Sequence, residues 1–213
     1  MIIDERMASF LNSFDTGLPS YLEELETKAI KDKVPIIRTD TIALLKLIMT
    51  AHKPHKILEV GCAVGFSALL MREYAPSDVT ITTIEKFEKR IVEAKENFAK
   101  YDKNKQITLL EGDATEILAS LDDEYDLIFM DAAKGQYPNF FPDCMRLLKK
   151  GGILISDNVL QDGEVLESRY AVTRRNRTIH TRMRDYLYEL THNDELTSTI
   201  LPVGDGVTIS VKR

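Results

Sequence analysis

Oxygen-bearing side chains stand at the ends of two short apolar segments in the second half of the sequence. Asp131 comes after segment 127–130, and Asp157 with Asn158 comes after segment 153–156. Should both segments be parallel strands lying side by side, all three side chains would project from one edge of the sheet. Mg²⁺ and Ca²⁺ favour carboxylate and amide oxygens, so the pattern predicts a divalent-cation site. The competing interpretation is that Asp157 and Asn158 merely begin a turn.

A second group of residues has the composition of a nucleoside site. Gly61 and Gly65 lie in the turn after the first predicted strand, where glycine lets the backbone approach a ligand closely. Acids follow at the next two strand ends: Glu85, placed to accept from ribose hydroxyls, and Asp113, which precedes Ala114. Any one of these acids can be only a cap or a solvated turn, but together they fit a nucleoside with a positive centre. No Gly-Lys-Ser/Thr sequence follows the glycines, which excludes a phosphate loop.

These residues need a scaffold of alternating strands and helices. Apolar runs of strand length occupy 57–60, 79–84, 107–110, 127–130, 153–156, 196–201 and 207–211. Amphipathic stretches with helical spacing occupy 66–74, 87–101, 114–121, 137–149 and 176–191. We interpret Gly151-Gly152 as a helix stop. The alternation predicts an α/β fold with a seven-stranded, mostly parallel sheet, helices on both faces and an antiparallel terminal strand.

The first 55 residues predict a helical cap. Apolar residues recur at helical spacing in two stretches, Met7, Phe10, Leu11 and Phe14, then Tyr21, Leu22, Leu25 and Ala29. A third helix should begin after Thr39 as N-cap and end before Pro54. We therefore expect one domain over residues 1–213, with a cap at 1–55 and a core at 56–213.

Composition sets limits on the class of protein. With 213 residues, of which 44% are hydrophobic, the chain can bury a core, and intrinsic disorder is not expected. Its 34 acidic residues exceed its 28 basic ones, and a net charge of -6 argues against broad coating of nucleic acid. Cys62 and Cys144 form no disulfide framework, and the sequence from Met1 to Arg6 lacks a basic stretch before a long apolar run. We expect a cytoplasmic protein with no membrane partner.

Longer motifs carry a family resemblance. Segment 59–65 (EVGCAVG), with Glu85 and Asp113-Ala114, resembles the class I S-adenosylmethionine-dependent methyltransferases. Segments 128–137 (IFMDAAKGQY) and 156–160 (SDNVL) resemble the cation-dependent catechol and caffeoyl-coenzyme A O-methyltransferases, over about residues 35–213. The resemblance implies a Rossmann-like class I methyltransferase fold, S-adenosylmethionine as cofactor, and Mg²⁺ or another divalent cation.

The resemblance also implies roles for individual residues. It makes Asp131 and Lys134 catalytic, with Lys134 as general base, whereas a lone lysine at a helix entry is more often a solvated charge. The metal ligands would be Asp131, Asp157 and Asn158. The cofactor-binding residues would be Ile37, Glu59, Gly61, Gly65, Ser67, Glu85, Asp113, Ala114 and Asp131. Ser67 would face the methionine carboxylate, Glu85 the ribose and Asp113 the adenine.

An arginine-rich segment bears on the acceptor. Residues 169–184 contain six arginines and no acid, and guanidinium groups suit phosphates better than neutral phenols. Segments 173–180 (TRRNRTIH) and 201–206 (LPVGDG) resemble the bacterial tRNA 5-hydroxyuridine methyltransferases, which make 5-methoxyuridine at the wobble position. This implies a tRNA anticodon loop as partner, read as single-stranded RNA. The RNA-binding residues would be Arg174, Arg175, Arg177, His180 and Arg184.

Other interpretations stay open. A small-molecule catechol or caffeoyl-type O-methyltransferase would use the same chemistry, with the arginines as a solvated helix face. A nucleoside-binding protein without catalysis would need the glycines and acids but no metal, and a dehydrogenase fits the glycine pattern poorly. The family resemblance also implies a homodimer.

Overall fold

The computed structural model describes residues 4–213, and our expectation for the N-terminus rests partly on residues 1–3, which lie outside them. The helices are α1 (Glu5–Asn12), α2 (Ser20–Lys31), α3 (Thr39–His52), α4 (Phe66–Tyr74), α5 (Glu88–Tyr101), α6 (Ala114–Ser120), α7 (Tyr137–Leu147) and α8 (Arg177–His192). The strands are β1 (Lys56–Val60), β2 (Thr80–Glu85), β3 (Ile107–Glu111), β4 (Tyr125–Met130), β5 (Leu148–Ser156), β6 (Leu196–Leu201) and β7 (Val207–Lys212). Short 3₁₀ helices lie at Lys134–Gln136 and Gln161–Leu166.

The strands form one seven-stranded sheet in the order β3-β2-β1-β4-β5-β7-β6. Neighbours from β3 to β5 are parallel, whereas β7 is antiparallel to both β5 and β6. The predicted mostly parallel sheet with an antiparallel terminal strand is therefore confirmed. Strand order reverses between β1 and β4, and a parallel sheet opens a crevice for ligands at that point.

Helices cover both faces of the sheet, as predicted. In β4, Leu127 and Phe129 pack into a core shared with α2, α3 and α4, whereas Ile128 and Met130 pack into a second core with α7 and α8. Successive side chains of a strand point to opposite faces, so nearly continuous apolar runs such as 127–130 are what a sheet covered on both sides requires.

Some predicted boundaries are wrong. Helix α7 ends at Leu147, because β5 already begins at Leu148 and the Gly151-Gly152 pair lies inside this strand. Tyr125 pairs with Leu148, but Leu127 pairs with Ile153, so residues 149–152 bulge out, with Gly151 in the left-handed region at φ +77°. Helix α3 is capped by Arg38, one residue earlier than expected, since the carbonyl of Arg38 accepts from the N–H of Ile42.

The two predicted N-terminal apolar stripes behave differently. In α2, Leu22, Leu25 and Ala29 are buried against the core. In the first stripe, by contrast, every apolar residue is more than half exposed, from Met7 in α1 at 56% to Phe14, two residues after α1, at 68%. No helix within residues 4–213 combines the length and the apolar character that a bilayer crossing demands.

Candidate active site

A cleft of about 820 Å³ opens where β1 to β5 end. The predicted site residues that line it are Ile37, Gly61, Ser67, Glu85, Asp113, Ala114, Asp131, Lys134 and Asn158. We call the wall formed by Gly61, Glu85, Asp113 and Ala114 the β2–β3 side. The wall formed by Asp131, Lys134, Asn158 and Asp205 is the β4–β5 side.

Gly61 brings the ends of β1 and β4 together. Its φ of +105° is a conformation that side-chain-bearing residues rarely adopt, and an added Cβ would collide with the carbonyl group of Asp131. Asp131 in turn donates its backbone N–H to the carbonyl of Val60 at 2.9 Å. The glycine therefore sets how closely the first turn approaches the β4–β5 side.

Glu85, at the end of β2, shapes the β2–β3 side. Its Oε2 accepts from the N–H of Ala63 at 2.8 Å, and its Oε1 accepts from the N–H groups of Lys86 and Phe87 at 2.9 Å. An ionised carboxylate offers about four lone-pair positions. One acceptor position is thus left for a hydroxyl group in the cleft.

Asp113 caps the helix that follows β3. Its Oδ1 accepts from the N–H of Thr115 at 2.9 Å, and its Oδ2 lies 3.3 Å from Nζ of Lys86. These hydrogen bonds lower the pKa of Asp113. Asp113 is therefore a helix cap, as one interpretation of the sequence predicted, and it also lines the cleft.

Two predicted cofactor-binding residues do not line the cleft. Glu59 is fully buried, because its side chain lies beneath the cleft floor, where Oε2 accepts from the hydroxyl of Thr83 and Oε1 has no hydrogen-bond partner. Burial raises the pKa of Glu59 to about 8. Gly65 instead N-caps α4 at φ +81° and faces the ring of Phe98, which an added Cβ would strike. Direct contact of these two residues with a ligand was the wrong expectation.

The predicted metal ligands do come together at the ends of β4 and β5. Asn158 Nδ2 donates to Oδ1 of Asp131 at 2.9 Å, and the N–H of Asn158 donates to Oδ1 of Asp157 at 2.8 Å. Loss of solvent raises the pKa of both aspartates, and the charge of Asp131 adds to the increase at Asp157. Buried carboxylates this close together are stabilised when a cation binds them.

This group is small. Residues 4–213 contain no cluster of three or more His, Cys, Asp and Glu side chains arranged to hold a metal. The predicted set instead has two carboxylates and one amide, and the remaining positions of a hard cation are commonly filled by water or substrate.

The structure also reveals cleft residues that the sequence interpretation missed. Lys134 Nζ lies 3.1 Å from Oδ2 of Asp205, which is 2% exposed. Arg38 pairs with Asp162 at 2.9 Å across the mouth of the cleft. The Gly204-Asp205-Gly206 turn was visible as a motif, but nothing in the sequence places it beside Lys134.

The arginine-rich segment is only partly available for contact. Arg174, Arg175 and Arg184 are exposed, and within the described residues none of them makes an ion pair. His180 is 2% exposed and its Nε2 contacts the carbonyl of Glu167 at 3.1 Å. The prediction that His180 binds RNA is therefore wrong, because the residue faces the core side of α8. Arg177 is partly buried, with Nε donating to the carbonyl of Val172.

Comparison with known proteins agrees with this geometry. A family model described as O-methyltransferase matches residues 12–213. The chain belongs to the O-methyltransferase family. The matched range includes every residue of the cleft, and the fold is that of the Rossmann-like methyltransferases.

Individual relatives of this O-methyltransferase are moderately similar. A catechol O-methyltransferase of Niastella koreensis is 32% identical over 127 residues, a match that spans only 58% of each chain. A candidate caffeoyl-CoA O-methyltransferase from Staphylococcus aureus is 32% identical, with a TM-score of 0.86 and 98% of each chain covered. The SAH-bound methyltransferase PaMTH1 of Podospora anserina is 27% identical, with a TM-score of 0.88 and coverage of 98% of this chain and 94% of that one.

Proposed function

We propose that this O-methyltransferase moves the methyl group of S-adenosylmethionine to one of two adjacent oxygens on its acceptor, with the help of a divalent cation. The observation that carries the proposal is that Asp131 and Asn158, which contact each other and adjoin the buried Asp157, line the same cleft as Glu85 and Asp113. One side of the cleft suits a nucleoside, and the other suits a cation with an oxygen acceptor.

The β2–β3 side fits the adenosyl part of the cofactor. Glu85 keeps an acceptor position for a ribose hydroxyl, and Asp113 and Ala114, which line the same wall, would contact the adenine. The carboxylates also favour the positive sulfonium over its neutral product, SAH. SAH-bound PaMTH1, with TM-score 0.88, supports this cofactor.

The β4–β5 side fits a divalent cation. Asp131, Asp157 and the amide of Asn158 would hold it, since they are hard oxygen donors and a cation would offset the loss of solvent that raises the pKa of both acids. When bound, such an ion lowers the pKa of a chelated hydroxyl and orients it.

The transfer itself needs alignment and one proton acceptor. The acceptor O–H bond breaks and its proton passes to Lys134 Nζ, which acts as the neutral amine, while the oxygen bonds to the methyl carbon. The bond from that carbon to sulfur breaks, and sulfur keeps the electron pair, which leaves SAH. In support of this role, Lys134 lies in the cleft, three residues beyond Asp131.

Catechol-type small molecules are the first candidate acceptors. The Niastella koreensis relative is named for catechol and the Staphylococcus aureus relative for caffeoyl-CoA. Both substrate classes carry two oxygens on neighbouring carbons, which matches the proposed chemistry.

The tRNA 5-hydroxyuridine acceptor is the second candidate, and one observation favours it. Segment 161–176 begins at the cleft, which Asp162 lines, and it contains the exposed Arg174 and Arg175. Helix α8 follows this segment and contacts the cleft region again, since Arg182 donates to the carbonyl of Gly135 at 2.8 Å. The exposed guanidinium groups thus lie on the segment that borders the β4–β5 side. The 5-hydroxyl and 4-carbonyl of the base are adjacent oxygens, as in a catechol.

One assay separates the two acceptors. The protein is incubated with methyl-labelled S-adenosylmethionine, Mg²⁺ and either caffeate or tRNA containing 5-hydroxyuridine. Label in one acceptor identifies the class, and label in neither contradicts the proposal. The Asp157→Asn variant is the control for adventitious methylation.

We also propose a homodimer. The exposed apolar stripe of α1 offers area for a second copy of the chain. Light scattering should give about twice the 24.2 kDa mass of one chain, and a mass of one chain would contradict this.

A further inference from the structure

Asp205 lies in the turn between β6 and β7 and reaches the cleft from the far edge of the sheet. Its carboxylate is 2% exposed, with Oδ2 3.1 Å from Lys134 Nζ and Oδ1 accepting from the N–H of Asp162. Buried acids of this kind are rare unless they are paired. Here the partner is the residue proposed to take the acceptor proton.

The turn that carries Asp205 is held on three sides. The carbonyls of Asp205 and Gly206 accept from the N–H groups of Leu160 and Val159, both at 2.9 Å. The N–H of Gly204 donates to Oδ2 of Asp40, at the start of α3, at 2.7 Å. Any side chain at Gly206 would collide with Leu160. The carboxylate therefore projects from a fixed backbone.

Lys134 has no comparable support of its own. It opens a single 3₁₀ turn, Lys134–Gln136, and its side chain is 34% exposed. Among the described residues no other carboxylate makes an ion pair with it. A lysine side chain has four rotatable bonds and, left alone, samples many rotamers, so the position of Nζ depends on Asp205.

We propose that Asp205 is a positioning residue that aims Lys134 Nζ into the β4–β5 side of the cleft. The inference rests on the proposed function of Lys134 and deepens it. The same carboxylate joins the loop after β5, the last hairpin and the 3₁₀ turn of Lys134, so three parts of the chain that are distant in sequence align at the acceptor position.

A double-mutant cycle with Lys134 tests this proposal. Asp205→Asn should lower kcat about 30-fold, leaving KM for S-adenosylmethionine within about twofold, because only proton transfer is misaligned. In a Lys134→Ala background the same change should cost less than about twofold. An equal loss in both backgrounds would overturn the proposal. Asp123→Asn, which breaks the exposed pair with Lys56 at 2.8 Å, is the matched control and should keep full activity.

A second variant covers a failure of Asp205→Asn to fold. Asp205→Glu keeps the charge and lengthens the side chain by one methylene, and the cycle with Lys134→Ala is then run on it. The expected result is the same: Asp205→Glu should lower kcat in the protein that has Lys134 and should change kcat very little in the Lys134→Ala background. Melting temperature and SAH binding monitor folding.

A further readout does not depend on methyl transfer. The amine of Lys134 is acylated with a succinimide ester, and the rate is followed by peptide mass spectrometry against Lys95. Removal of the Asp205 carboxylate should speed acylation of Lys134 several-fold, since a freed amine is more reactive. An unchanged rate would overturn the contact, whereas a changed rate with no methyl transfer in any variant would fault the proposed function alone.

Discussion

The two sides of the cleft hold their carboxylates in opposite ways. On the β2–β3 side, Glu85 and Asp113 are partly exposed and accept hydrogen bonds from backbone N–H groups. On the β4–β5 side, Asp131 and Asp157 lie close together with their pKa values raised by loss of solvent. The first arrangement is complete by itself, whereas the second gains from a cation.

The difference indicates which side of the cleft we expect to take part in methyl transfer. Backbone N–H groups fix an acid in place without perturbing its charge, which suits recognition of hydroxyl groups. Paired acids removed from water store unfavourable energy that a bound cation releases. The comparison therefore predicts that substitutions on the two sides separate cofactor binding from turnover.

The largest effect should come from Asp157→Asn. Loss of one of the two carboxylates proposed to hold the cation should reduce methyl transfer at least about 1,000-fold, because the acceptor hydroxyl would no longer be activated. SAH affinity, measured by calorimetry, should stay within about threefold, since the β2–β3 side is untouched. A variant with normal turnover would break the distinction between the two sides.

Glu85→Gln should show the reverse pattern. An amide keeps only one acceptor oxygen and leaves a backbone N–H of Ala63, Lys86 or Phe87 facing an NH₂ group. We expect the Kd for SAH to rise about 30-fold while kcat at saturating cofactor changes less than about threefold. If kcat fell and Kd did not, the assignment of the two sides would be reversed.

The pair Arg174→Ala and Arg175→Ala sharpens the acceptor question. If tRNA is the acceptor, its Kd should rise about tenfold and the salt slope of binding should fall by about 2, since two phosphate contacts are lost. Methylation of caffeate should not change. The matched control is Lys28→Ala with Lys31→Ala on the exposed face of α2, and an equal effect there would indicate a general charge effect.

The last expected effect concerns stability beneath the cleft and not turnover. The pKa of Glu59 is about 8 in the folded protein against an ordinary value of 4.5. Between these pH values the folded state keeps a proton that the unfolded chain releases, so stability falls as pH rises from 5 to 8. Glu59→Gln should remove most of that fall, which amounts to about 4 kcal/mol for a pKa difference of this size in urea unfolding, and an identical pH dependence in both proteins would argue against a raised pKa.

Much of the fold was predictable because its signals are local. Sheet packing requires apolar runs such as 127–130 and glycines at strand ends, so these patterns predict the strands. The family motifs in addition predicted that strands end at Glu85 and Asp131. The boundary at Leu147 was missed because a bulge inside β5 depends on pairing with β4, which periodicity does not encode.

The site was less predictable where it depends on long-range contacts. Asp205 meets Lys134 across 71 positions of sequence, and only the folded hairpin brings them together. Glu59 and His180 were placed at surfaces by motif and helix position, but both side chains point into the core. Motifs therefore predict which residues lie near the cleft more reliably than they predict which side chains point into it.

The central claim is that the β4–β5 side holds a divalent cation needed for methyl transfer. The most direct test measures transfer from labelled S-adenosylmethionine to the accepted substrate before EDTA, after EDTA and after added Mg²⁺, with SAH binding followed in parallel. We predict that EDTA abolishes transfer, that Mg²⁺ restores it, and that SAH binding persists throughout. Undiminished transfer in EDTA would contradict the account.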